Sequence, residues 1–519
     1  MLSCFHYVLF LFLFTLLGGG LVSDTQAADG AATSWSVAAA EALYDPDLHL
    51  LVDDDAVSEA LGVAKVIGRP HIPTEPLFRL DKRWEIGRMF FGYGTSVVKD
   101  PETGKLRMYY SVDDSHGRQS AQCMPGTSFM CLAESFDGLH WTKPNLGLYE
   151  FEGSVQNNIL YGYTHRRRGA AERLVGAVVD DPYETDPERR FKMFGDMVDV
   201  DGKRGYCIMT SPDGLRWDMQ PRFVTKEGMD TFLMTWDAAR KQWLRIARLG
   251  LPGELVERSR EAWQKYLGLD RKTVRSIGVW DGPDLYKMRA RGHAMLVDEE
   301  DGYGAKFQHW GMQPFNYGNQ YLGVLLVSSE WGPNPQLYLA SSKNGRHWQH
   351  VMRWQPFLPL GGEGRWNGEV NCLTINPPIK VGNQLFIYYT GRTSSRAGNA
   401  INLPGVAVMT EDRFVGYIAN RRGRLLTTAV KVTKPQLYVN FSCIWGAMRV
   451  EVCDSHGNPL AGYTADDCIP LKPDENDKRT RFPVRWKNKS DLQELMDRKV
   501  QLRFKYRVAT LYAYQFADI

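Results

Sequence analysis

Asp230 and Glu369 stand at the same distance from a turn signal. Asp230, in GMDTFLMTWD, lies seven residues before Asp237, and Glu369, in EVNC, lies seven residues before the Asn376-Pro377 pair. Two carboxylates in one register on strands around a common axis can divide acid and base work. Burial raises the pKa of one, which then delivers a proton, while a nearby cation holds the other ionised. The same count back from Asp100-Pro101 reaches Tyr93, with Glu85 further upstream as a third carboxylate. An acidic residue at a strand start can equally cap a turn or pair with arginine. Arg248, in WLRIARLG on the strand after Asp230, suits either a substrate hydroxyl or a structural ion pair. His309 and Gln313, in HWGMQPFNYGN, fall near the same level.

The elements that must position these groups announce themselves by a repeat. SFDGLHW (135–141), SPDGLRW (211–217) and SKNGRHW (342–348) share serine, then Asp or Asn, then glycine, then tryptophan at one spacing. Asp-Gly and Asn-Gly accept the positive φ of a tight reversal, the serine hydroxyl bonds nearby backbone and the tryptophan packs between layers. These are joints between strands, not active sites. VWDGPDLY and VMTEDRF read as degenerate copies, so the turn positions are 137, 213, 281, 344 and 412, with steps of 76, 68, 63 and 68 residues. Each unit holds short β-rich segments such as KLRMYYSV, RFKMFGDMV, YLGVLLVSS and QLFIYYTG. Four strands plus loops fit such a length, and five such units predict an all-β chain built on a five-bladed β-propeller.

After residue 423 the pattern changes to QLYVNFSC, MRVEVCDSHGNPLAGY and VQLRFKYRVATLYAYQF, alternating strands that predict a C-terminal β-sandwich over 424–519. The propeller is placed at 76–420 and an acidic approach segment, with a short helix in AAAEALYD, at 28–75. Leu255, Trp263 and Leu267 recur at helical spacing within 253–270, which reads as a helix inserted on a blade. The first residues differ again. VLFLFLFTLLGGGLV followed by SDTQAADGAA reads as the apolar core and cleavage zone of a secretory signal ending near Ala27, and predicts a secreted or periplasmic protein. No second run long enough to span a membrane follows. Seven cysteines remain beyond that point without a CxxC pair, so there is no zinc pattern; Cys123 with Cys131, or Cys453 with Cys468, are the local disulfides that spacing allows. A net charge of +3 spread along 519 residues, with basic runs confined to loops, argues against nucleic-acid binding.

Five units, the repeated turns and the C-terminal strands together resemble the five-bladed propeller glycosidases, the fructosidase/invertase and arabinanase/xylosidase relatives. The chain is similar more narrowly to exported bacterial proteins described as like the family 32 glycoside hydrolase amino-terminal domain. The stretches that carry this are Trp84-Glu85, YGTSVVKDPETGKLRMYYS, GSVQNNIL, DTFLMTWD, GNQLFIYYTG and LRFKYRVATLYAYQF, between Pro76 and Phe516. The fructosidase WMNDPNG is absent, FGYGTSVV standing where its aspartate falls; there is no clear RDP, and the EC pair is echoed by Glu369 in EVNC.

The resemblance implies a funnel at the propeller axis, lined by the first strand of each blade, where carboxylates cleave a glycosidic bond of an oligo- or polysaccharide. On that reading Asp230, Glu369 and Glu85 are the catalytic candidates, with Glu369 as acid and Asp230 as base or stabiliser. Tyr93, Arg248, His309, Gln313, Trp366 and Asn367 are the substrate-binding candidates. The indole of Trp366 suits the apolar face of a sugar, although lone tryptophans also fill cores. No cofactor is required; calcium at the axis, held by His309 through water, follows by analogy. Retention or inversion stays open. A sugar-binding propeller without catalysis is the alternative, and a sialidase, which should show six blades and an arginine triad, ranks third.

Overall fold

The computed structural model describes residues 40–85, 88–89, 94–100, 103–113, 127–164, 173–181, 183–227, 233–270, 274–329, 335–394, 400–473 and 478–519. Residues 1–27, read above as a secretory signal, lie outside them. Five antiparallel sheets follow one another along the chain, and a sixth, eight-stranded sheet holds the C-terminus. The fold is a five-bladed β-propeller. Blade one holds Arg88–Met89 and Thr95–Lys99 on its first edge, then Leu106–Asp113, Thr127–Ser135 and Ile159–Thr164. Blade two runs Arg173–Asp180, Phe191–Val198, Arg204–Ser211 and Arg222–Thr225. Blade three runs Leu233–Asp237, Gln242–Gly250, Arg275–Gly282 and Arg289–Met295, and blade four Phe307–Tyr317, Gln320–Ser329, Gln336–Ser342 and Gln349–His350. In blade five Val370–Leu373 and Ile379–Val381 flank Gln384–Ser394, which pairs on its other side with Ala400–Thr410.

First strands of neighbouring blades are stitched together. Val178 N–H donates to Ser96 Oγ at 3.0 Å between blades two and one, and Gln313 Nε2 donates to Met234 O at 2.9 Å between blades four and three. Ile375 N–H donates to Thr95 O at 2.9 Å, closing blade five onto blade one. A narrow cavity where these strands meet is lined mainly by Val97, Val98, Val178, Val179, Met234, Trp236 and Ile375, with Lys99, Thr235 and Asn376 among them.

The repeated turns are joints of one design. Ser135, Ser211 and Ser342 accept from the amide of the turn glycine at 2.8, 2.9 and 2.9 Å, and Asp137, Asp213 and Asn344 each accept two further amides through Oδ1. Trp141 and Trp348 each donate the indole N–H to the glycine carbonyl at 3.0 Å. The two degenerate copies depart from this pattern. In DGPD the turn amides go to Asp284, while fully buried Asp281 instead binds Arg291 and Arg346 at 2.6 and 3.0 Å. Asp412 sits at φ 67 and accepts from the Tyr317 hydroxyl at 2.9 Å.

The C-terminal sheet contains Val415–Thr427, Gln436–Cys453 and Lys499–Ala517, long strands interrupted by register shifts at 419/422, 440/441 and 443/447. The shifts bend the strands around a second apolar core that includes Leu437, Phe441, Val450, Phe504 and Phe516. The segment read as an approach supplies strands here: Leu48–Leu50 pairs with the last strand, and Val57–Leu61 and Ala64–Ile67 pair with Val415–Thr427. Further on, His71 bridges Val408 on the outer strand of blade five. Sequence periodicity missed these strands because they are short and half-exposed.

The inserted helix forms over Gly253–Leu267 and ends at Gly268, whose φ of 66 suits a glycine cap. Its buried Trp263 packs with Val274, Val297 and Ala305. Cys453 and Cys468 are free thiols, not a disulfide; Cys468 Sγ instead accepts from Val450 N–H at 3.3 Å. Cys131 is also free, and Cys123 lies outside the described residues. No helix among the described residues is long and apolar enough to cross a membrane.

Candidate active site

Asp230 and Tyr93 lie outside the described residues, which resume at Leu233 and Gly94 at the first strands of blades three and one. Glu369 immediately precedes Val370–Leu373, the first strand of blade five, and is half-buried. Its backbone N–H donates to Arg392 O at 3.0 Å, which fixes its register against the second strand of that blade. Arg392 lies opposite Val370, and Arg248 comes from the second strand of blade three. Burial pushes the Cys372 thiol far up, and the charges of Arg248 and Arg392 act against that rise. Both guanidiniums are therefore within electrostatic reach of a residue three positions past Glu369.

Glu85 is held differently. Its Oε2 accepts the amides of Asp81 and Lys82 at 2.9 and 3.0 Å and pairs with Lys143 Nζ at 2.6 Å; its Oε1 accepts the Tyr110 hydroxyl at 2.5 Å. Asn158 donates to the same hydroxyl at 2.7 Å. With its side chain fully buried and both oxygens engaged, Glu85 anchors the entering chain to blade one. Trp366, Asn367 and Gln313 are likewise engaged in packing or hydrogen bonds within the fold. A methyl group on Gly405 would lie 2.1 Å from the Trp366 ring and one on Gly391 2.5 Å from it, so the indole is pressed onto two glycines instead of standing open. Asn367 Nδ2 donates to the Tyr389 hydroxyl at 3.1 Å, and Gln313 Nε2 is shared between the carbonyls of Met234 and Pro314.

His309 is completely buried and faces Asp301 and His350, neither of which the sequence reading singled out. Burial pushes the His309 imidazole down to about 4 and that of His350 down to about 3, while it raises the Asp301 carboxyl against the pull of Arg353. His350 follows the third turn's tryptophan by two residues, a position the repeat itself marks. Arg392 was also missed, being part of a strand read only for its apolar alternation.

A second concavity, of about 560 Å³, is lined on the C-terminal sheet by Arg422, Arg424, Arg449, Lys505 and Arg507. Glu59 pairs with Arg424 at 2.6 Å and Glu451 with Lys505 at 2.7 Å, leaving cations in excess.

The class defined by this architecture is a five-bladed propeller joined to a C-terminal β-sheet module. No family model matches the sequence, and no curated protein matches it. Among solved structures, the chain is similar to one described as a glycoside hydrolase, at 10% identity and a TM-score of 0.39, covering 67% of this chain and 92% of the other. A β-1,2-mannobiose phosphorylase from Listeria innocua is similar at 12% identity and a TM-score of 0.39, over 67% and 97% of the two chains. A GH32 β-fructofuranosidase from Bombyx mori is similar at 8% identity and a TM-score of 0.36, over 86% and 95%.

Proposed function

We propose that this chain is an exported protein of the glycoside hydrolase type, acting on a glycosidic bond of an oligo- or polysaccharide with Glu369 and Asp230 as its essential carboxylates. The observation that carries the reading is the position of Glu369, half-buried at the start of the first strand of blade five, in the register that Asp230 holds in the sequence of blade three. Glycoside cleavage needs one carboxyl group to protonate the leaving oxygen and one carboxylate to act as base or nucleophile. Glu369 is assigned the acid. Asp230, at the equivalent register of blade three, is assigned the base, and Arg248 orients a substrate hydroxyl or the carboxylates themselves.

The test begins with wild-type protein and a panel of plant, algal and bacterial polysaccharides, followed by release of reducing sugar. Glu369→Gln and Asp230→Asn should each lower turnover by about a hundredfold or more. Wild-type rates in both variants would remove these residues from the chemistry. A second reading, a propeller that binds glycans without cleaving them, is favoured by the cationic groove on the C-terminal sheet, whose charge suits uronate or sulfate groups. Binding without any release of reducing sugar would establish it. The sialidase reading calls for six blades, and the chain has five.

A further inference from the structure

The linker between blades three and four brings Asp301 against two histidines from distant parts of blade four. His309 stands on the first strand of that blade and His350 on its last. His309 Nε2 lies 3.6 Å from Asp301 Oδ2, and His350 Nε2 lies 4.0 Å from Asp301 Oδ1. The two rings are 5.1 Å apart, inclined at 61°. One donor atom from each of the three residues fits within a 4.8 Å span. The side chains of Asp301, His309 and His350 are 1%, 0% and 6% exposed, and neither nitrogen of either ring has a hydrogen-bond partner among the described residues. Buried imidazoles are ordinarily satisfied, and four unpartnered ring nitrogens beside one carboxylate call for a shared ligand.

We infer that Asp301, His309 and His350 form a binding site for a divalent transition-metal ion of the zinc class. Bonds of about 2.0–2.2 Å to nitrogen and oxygen bring tetrahedral donors to about 3.5 Å from one another, so the 3.6 and 4.0 Å carboxylate–imidazole separations and the 4.8 Å span of the three donors contract by a small side-chain shift as the ion binds. The surroundings fit a cation. Arg353 donates to Asp301 Oδ2 at 2.9 Å and orients it, and the same guanidinium is held by Asp298 at 2.6 Å and Glu300 at 2.9 Å. Three carboxylates against one guanidinium leave an excess of negative charge around the two neutral rings. Two imidazoles with one carboxylate suit zinc, cobalt, manganese or iron, whereas calcium takes six to eight oxygens. Calcium held by His309 is therefore a poorer match than a ligand set that includes His350. Burial of all three donors makes the site a staple, tying the linker under the inserted helix to both edges of blade four.

The experiment uses the full chain, stripped with a chelator, dialysed and titrated with Zn²⁺, Co²⁺ and Ca²⁺ by calorimetry, with bound metal counted by mass spectrometry. Wild type should take up about one Zn²⁺ per chain, show the visible absorption of low-symmetry Co²⁺, and melt at a higher temperature with metal than without. His350→Gln, at the more accessible edge, and Asp301→Asn should weaken Zn²⁺ binding by more than about a hundredfold, beyond the loss an outer-layer change produces, with the circular dichroism unchanged. Folded His350→Gln protein that binds Zn²⁺ as wild type does would overturn the assignment. So would wild type that binds no stoichiometric ion, or that prefers Ca²⁺.

Discussion

The phenol of Tyr388, in the second strand of blade five, donates a 3.1 Å hydrogen bond to the carbonyl of Gly138, in the turn after the third strand of blade one. The last blade is thereby fixed to the first. Gly138 has φ 76, and a methyl group there would meet that hydroxyl at 2.6 Å. Blade two repeats the close approach one step round the ring: Gly214 has φ 72, and its methyl would meet the Tyr109 hydroxyl at 2.5 Å. Tyr109 and Tyr388 are the first tyrosines of the YY pairs in KLRMYYSV and QLFIYYTG.

Gly138→Ala should therefore cost about 2 kcal/mol or more, since left-handed backbone strain of about 1–2 kcal/mol is compounded by the clash. Gly153→Ala, at φ 80 with nothing within 4 Å, should show the backbone strain alone. Tyr388→Phe should cost about 1 kcal/mol, the net worth of one hydrogen bond. Urea unfolding midpoints order the three; equal losses at Gly138 and Gly153 would mean the tyrosine contact carries no weight.

Lys143 Nζ reaches Glu85 at 2.6 Å and Asp81 at 2.7 Å, with its side chain 9% exposed. Lys143→Met leaves the Glu85 charge buried beside Tyr110, and about 3–5 kcal/mol of stability should be lost. Adding Glu85→Gln to it should restore part of that loss, because the uncompensated charge is gone. A double variant as weak as Lys143→Met alone would show that packing of the lysine stem, not charge, sets the cost.

Glu85 and Glu369 should separate by phenotype. Glu85→Gln is expected to lower the unfolding midpoint, and Glu369→Gln to lower turnover by about a hundredfold or more while leaving the midpoint near wild type. Once a substrate is identified, kinetics and denaturation of the same two samples decide it. The opposite pairing of effects would exchange their roles.

Residues 48–67 add strands to the C-terminal sheet, and His71 exchanges two backbone hydrogen bonds with Val408 at 2.7 and 2.9 Å. A chain beginning at Pro76 therefore exposes the edges of both modules and should aggregate, whereas one beginning at Ala40 should elute as a folded protein. Size-exclusion chromatography distinguishes them. A monodisperse, folded chain from Pro76 would make the N-terminal strands dispensable.

His49, half-buried in Leu48–Leu50, stacks on Tyr514 at 4.8 Å, and its Nδ1 accepts from Asn319 at 2.9 Å. Burial pushes its pKa down to about 4, against Asp47 and Asp45, with Lys343 adding to the fall. The unfolded chain thus binds a proton near pH 6.5 that the folded chain refuses, so its contribution is full above about 6.5 and is lost as pH falls towards 4. His49→Gln should lose less stability than wild type between pH 7 and pH 4.5. Parallel slopes for the two proteins would show that His49 does not titrate in this window.

The sequence by itself determined the ring. Ser135, Ser211 and Ser342 with their glycines and tryptophans are local devices, closed by hydrogen bonds within a few residues, so their spacing counts blades without any knowledge of contacts. The helix over Gly253–Leu267 was legible for the same reason, its apolar period and glycine cap lying within one segment. What the tertiary structure decided is how distant residues meet. Nothing near Glu85 in sequence foretells Tyr110 and Lys143, and only their convergence turns a candidate acid into an anchor. Trp366 reads as a sugar platform until Gly391 and Gly405 are found beneath it. The strands at 48–67 are too short to show a period, and they exist because two open edges were left for them to pair with. Asp301, His309 and His350 are separated by up to 49 positions, and their donors share one small space only because blade four folds its first and last strands around the linker that enters it.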